Sequence, residues 1–84
     1  MKNDSISFAT LQRVLEGLGF VKGTVPGSHL YFEHPPSGTV FLFRLYKPQD
    51  KLSAWDRVGV RKLLIERGVV DEDTLDELLH QPSP

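Results

Sequence analysis

The chain has no cysteine in its 84 residues. No disulfide can staple the fold and no thiolate can bind a metal, so stability has to come from apolar packing. Long apolar runs are missing too, and nothing approaches the roughly 20 residues needed to span a bilayer. The opening residues Met1-Lys2-Asn3-Asp4-Ser5 carry one Lys and one Asp and lead into no long apolar segment, unlike a secretory leader. Internal repeats and low-complexity tracts are also absent. These absences lead to the expectation of a soluble, cytoplasmic protein with no membrane partner. A chain this short makes one domain, here residues 1–84, and buries only roughly 60–65% of its unfolded surface. What it has for a core is aromatic: Phe8, Phe20, Tyr31, Phe32, Phe41, Phe43, Tyr46 and Trp55.

The net charge of −1 hides an asymmetry. Residues 1–70 hold all ten Lys and Arg against six acids, a net of +4, while residues 71–84 hold five acids and no Lys or Arg, a net of −5. A basic body favours an anionic partner modestly. The acidic end reads as a solvated helix, or as a segment that folds near the basic face and competes there with an anionic partner.

Hydrophobic spacing predicts an α+β order. Phe8, Leu11, Val14, Leu15 and Leu18 recur every three or four residues, which predicts a helix over 7–18 with Ser7 as its N-cap. Gly17 and Gly19 supply the backbone freedom with which a helix ends. Phe20 to Val25 reads as a strand, Pro26-Gly27 as a turn, and His29 to His34 as a second strand. Leu30 and Phe32 fall on one face of that second strand, and His29, Tyr31 and Glu33 on the other. After the turn Pro35 to Gly38, Thr39 to Leu45 reads as a third strand, with Phe41, Phe43 and Leu45 on its apolar face.

A polar loop covers 46–52. Ser53-Ala54-Trp55-Asp56 resembles a capping box with Asp in the usual Glu position, opening a helix that Gly68 ends. Trp55, Val58, Leu63 and Leu64 are expected to face the core there, with Arg57, Arg61 and Lys62 toward solvent. A short acidic helix follows over about 72–79, capped by Asp71, and residues 81–84 read as a frayed end. The strands form a meander with two amphipathic helices to cover one face. The core spans about residues 7–70, followed by the acidic helix over about 71–80.

Few residues offer chemistry. His29, His34 and His80 share no close spacing, so no metal site is expected. Ser28 and His29 are neighbours on a strand and point apart, which rules out a serine–histidine pair. The glycines lack the spacing of a phosphate loop. His29 remains: it sits on the polar face of a hairpin just after Gly27-Ser28, and an imidazole takes or gives a proton near neutral pH.

The order of these pieces resembles a known family. Leu15-Glu16-Gly17-Leu18-Gly19-Phe20, then Gly27-Ser28-His29-Leu30-Tyr31-Phe32 and His34-Pro35, then Val60 to Gly68, are similar to the HicA toxins of HicAB toxin–antitoxin systems, also called YcfA-like proteins. The match covers roughly residues 7–70. The resemblance implies a fold like the double-stranded-RNA-binding domain: helix, three-stranded antiparallel sheet, helix, with an extra short C-terminal helix. It implies an mRNA-cleaving endoribonuclease that needs no metal or other cofactor and is neutralised by a HicB-type antitoxin. His29 would be catalytic. Gly27 and Ser28 would meet the phosphate, and Lys22, Arg44 and Lys47 would hold flanking backbone charge. The run Phe43 to Lys51 has no second histidine and carries Asp50, so a non-catalytic RNA- or protein-binding module on the same fold is the alternative.

Overall fold

The computed structural model describes residues 6–25 and 29–80, and the side chains of Thr24 and Val25 are outside the description. Six elements follow one another: α1 (Phe8–Gly17), β1 (Val21–Val25), β2 (His29–His34), β3 (Thr39–Arg44), α2 (Ala54–Glu66) and α3 (Glu72–Leu79). The strands form one antiparallel sheet in the order β1-β2-β3. The architecture is therefore α+β, three helices with a three-stranded meander. Among the described residues no helix is long and apolar enough to cross a membrane.

Both long helices are closed by local chemistry. Ser7 Oγ accepts the Thr10 N–H at 3.2 Å, and the carbonyls of Asp50 and Pro48 accept the Phe8 and Ala9 N–H groups at 2.8 and 2.9 Å. The amides that a first helical turn leaves without intrahelical partners are thus taken up, partly by a loop far along the chain. At its other end, Phe20 N–H reaches Leu15 O and Gly19 N–H reaches Glu16 O. Val69 and Gly68 make the same pair of bonds to Leu64 and Ile65. Gly19 at φ 100° and Gly68 at φ 72° adopt the left-handed backbone this helix ending requires. Asp71 caps α3 by accepting the Thr74 N–H at 2.8 Å, and hydrogen bonding from the Thr74 side chain, then from that N–H, holds the Asp71 carboxyl below its ordinary value.

The helices cover one face of the sheet. Phe8 in α1 sets its ring edge-on to Phe32 of β2 at 6.1 Å and to Phe43 of β3 at 5.8 Å, and stacks on Tyr46 at 5.2 Å. Phe20 stacks on Phe41 at 5.5 Å. With Leu11, Leu15, Val60, Leu64 and Leu75 these rings form the buried core.

Three expectations are corrected. Leu45 is 57% exposed, while Tyr46 is 7% exposed. The strand ends at Arg44, and the Tyr46 N–H bonds back to the Arg44 carbonyl at 2.8 Å. That three-residue turn breaks the alternation and swings Tyr46 inward. Trp55 and Val58 are 87% and 58% exposed, not core. The inward stripe of α2 is instead Arg57, Val60, Arg61 and Leu64, with both arginines half-buried and the other two buried. The reason is α3, which brings Glu72 and Asp76 against that stripe and pairs both with Arg61. Finally, the capping box of α2 is only half direct. Asp56 N–H bonds Ser53 Oγ at 3.1 Å, but the return bond to the Ser53 N–H comes from the Tyr46 hydroxyl.

Candidate functional site

Among the described residues no helix or strand covers the face of the sheet opposite the helices. Strand register assigns its residues. Val21, Glu33 and Val40 lie in one row, Gly23, Tyr31 and Leu42 in the next, and Val25, His29 and Arg44 in the last. Val21, Val40 and Leu42 are exposed apolar side chains, so the centre of this face is greasy and one end of it is basic.

His29 opens β2 at that basic end and is exposed. Arg44 closes β3 directly across from it, and residues directly opposite on neighbouring strands carry their Cβ atoms about 5 Å apart. The Arg44 guanidinium lies over the Tyr46 ring, with Cζ 4.5 Å from the ring centroid. A cation held on an aromatic face keeps its in-plane N–H groups free for an anion. Among the described residues the His29 imidazole has no hydrogen-bond partner.

Tyr31 of the middle row is tied to Glu33 of the first. The Tyr31 hydroxyl donates to the Glu33 carboxylate. That bond, with smaller help from desolvation and the carboxylate charge, raises the phenol above its ordinary value. The Tyr31 ring lies over Gly23, where an added Cβ would sit 3.0 Å from it. Glycine in this strand makes room for the ring.

The residues expected around His29 are only partly gathered. Arg44 shares its face. Lys22 does not: it pairs with Phe32 in register, so it projects on the helical side, where its Nζ reaches Gln12 Oε1 at 3.4 Å. Lys47 is exposed in the loop three residues beyond Arg44. Gly27 and Ser28, like the Pro26-Gly27 turn, lie outside the described residues. His34 is on the helical face, its ring 5.0 Å from that of Phe20 and its Nδ1 2.7 Å from Ser37 Oγ. His80 bonds the Asp76 carbonyl through Nδ1 at 2.8 Å. Among the described residues no three His, Asp or Glu side chains gather as a metal site.

One feature escaped the sequence reading. A cleft of about 260 Å³ lies between α1, α2 and α3, floored by Leu11, Val60 and Leu75 and edged by Arg57, Arg61 and His80. It is separate from His29. Its signal in the sequence was the pair Glu72 and Asp76, one helical turn apart and facing a basic helix. No protein-family model, curated protein or solved structure matches this chain.

Proposed function

We propose that this protein is a HicA-like endoribonuclease acting on mRNA, with a fold related to the double-stranded-RNA-binding domain and a HicB-type protein as its antitoxin. The observation that carries the reading is an exposed His29, with its ring nitrogens unengaged among the described residues, directly across from Arg44 on the helix-free face of the sheet. RNA carries its own nucleophile. His29 takes the proton of a ribose 2′-hydroxyl, the 2′-oxygen bonds to the adjacent phosphorus, and the P–O5′ bond breaks as the 5′-oxygen takes a proton from solvent. The products are a 2′,3′-cyclic phosphate and a 5′-hydroxyl, with no metal in the balance. Arg44 offsets the negative charge that grows on the phosphoryl oxygens. Lys47, with Gly27 and Ser28 at the mouth of the hairpin, contacts the flanking backbone.

The test is incubation of the purified chain with single-stranded mRNA in the presence of a chelator. The expected outcome is cyclic-phosphate ends, with a rate that falls about 10²- to 10⁴-fold in His29→Ala while circular dichroism is unchanged. Intact RNA with the wild-type chain sinks the reading. The exposed Val21, Val40 and Leu42 favour a second reading, a non-catalytic module that binds RNA or protein through this face. Binding would then survive His29→Ala.

A further inference from the structure

Trp55 is the chain's one tryptophan, and it stands 87% exposed in the first turn of α2. Tryptophan is among the more buried residue types on average, and an indole left in water costs the fold the burial it could have had. Nothing in the packing uses this one. One helical turn along the same stripe the chain has Gly59, with open space where its Cβ would be. Gly59 therefore puts no side chain beside the indole on that side.

The surroundings are basic. Lys47, Lys51 and Lys62 are exposed, and among the described residues none of the three makes an ion pair. The acids nearby in sequence are both engaged in hydrogen bonds. Asp50 accepts the Lys47 N–H at 2.9 Å, and Asp56 accepts the Tyr46 hydroxyl at 2.6 Å. A flat aromatic surface among unpaired cations complements a polyanion that carries aromatic rings. An acidic protein surface would meet the charge but has less use for the open flat face.

The position also fits. His29 and Arg44 mark the end of the sheet at which β2 begins and β3 ends. Arg44 contacts the Tyr46 ring, and the Tyr46 hydroxyl bonds Ser53 and Asp56, which flank Trp55. Strand register and these contacts thus place the candidate base and the start of α2 at the same end of the sheet. We infer that Trp55 is a stacking platform for an unpaired base of single-stranded RNA, with Lys51 and Lys47 on the adjoining phosphates. This names a strand-positioning site for the RNA-directed reading above and rests on that reading only for the nature of the polymer.

The single tryptophan makes the test direct. The full-length His29→Ala chain, which spares the RNA, is titrated with a 12-nucleotide oligouridine while tryptophan emission is followed. The expected outcome is saturable quenching. Trp55→Ala, at a site too exposed to disturb the fold, should weaken binding roughly 5- to 150-fold, and Trp55→Phe should recover part of the loss. Lys51→Glu should weaken binding and flatten its salt dependence. RNA binding without quenching, or unchanged affinity in Trp55→Ala, overturns the site, as does quenching by a protein partner and not by RNA. Cleavage by the wild-type chain without quenching removes this site and leaves the ribonuclease. Trp55-dependent binding without cleavage keeps the site and removes the ribonuclease.

Discussion

The hydroxyl of Tyr46 donates to the carboxylate of Asp56 at 2.6 Å, and the same oxygen accepts the Ser53 N–H at 3.2 Å. One phenol thereby ties the end of β3 to the start of α2, while its ring stacks on Phe8 of α1. Tyr46→Phe keeps the ring and strands a backbone donor. Its expected cost is about 1–2 kcal/mol in urea unfolding. Tyr46→Ala also removes the ring and should cost about 3–5 kcal/mol. A Tyr46→Phe chain as stable as wild type would show that water replaces the phenol without loss.

Arg61 holds α3 to α2 through Glu72 at 2.8 Å and through Asp76. The two carboxylates raise the guanidinium further above its ordinary value, the hydrogen bond to Asp76 contributing most. The pair is partly solvent-exposed, so Arg61→Ala should cost only about 1 kcal/mol at low ionic strength. That cost should shrink in 1 M salt, where screening acts within about 3 Å. Amide exchange of α3 is the sensitive readout, and α3 protection indifferent to Arg61→Ala would mean that Leu75 packing alone docks the helix.

Two glycines near the same helix should respond in opposite directions. Gly59 lies inside α2 with open space around it, so Gly59→Ala is expected to stabilise by roughly 0.5–1 kcal/mol. Gly68 sits at φ 72°, where a Cβ is strained, and Gly68→Ala should destabilise by about 1 kcal/mol. Thermal or urea melts of the two variants check both signs.

The Tyr31–Glu33 unit predicts an alkaline signature. The bond to Glu33 raises the Tyr31 phenol above its ordinary value of 10.0. A raised acid stabilises the fold fully below its unfolded value, and the contribution fades as pH climbs through the folded value. Ultraviolet titration in a Tyr46→Phe background should find Tyr31 ionising late, and Glu33→Ala should return it toward 10.0. Gly23→Ala should do the same by pushing the ring off its seat. Equal midpoints with and without Glu33 would refute the coupling.

Much of the fold was legible because its signals are local. Ser7, Ser53 and Asp71 each accept the backbone N–H of the residue three places on, as N-caps do. The period of α1 and the alternation in β2 report burial directly. The face of α2 was not legible, because Trp55, Val58, Val60 and Leu64 wind around the helix and two stripes compete. Glu72 and Asp76 decide between them by drawing Arg61 inward, and that is tertiary information. Leu45 was misplaced for a related reason: the three-residue turn there shifts the alternation by one and puts Tyr46 inward instead. At the candidate site, His29 and Arg44 follow from strand parity. Lys22 depended on register, and register placed it on the helical side.

The carbonyls of Pro48 and Asp50 that complete the first turn of α1 lie about forty residues downstream of the amides they serve. During synthesis α1 is made before these acceptors, and domains settle as units once their chain is available. The earliest helix in the sequence is therefore finished late. A nascent chain stopped at residue 46 should show an amide-labile α1 start, and one extended past Leu52 should lock it. The loop that reads as a polar connector decides when the first helix is complete.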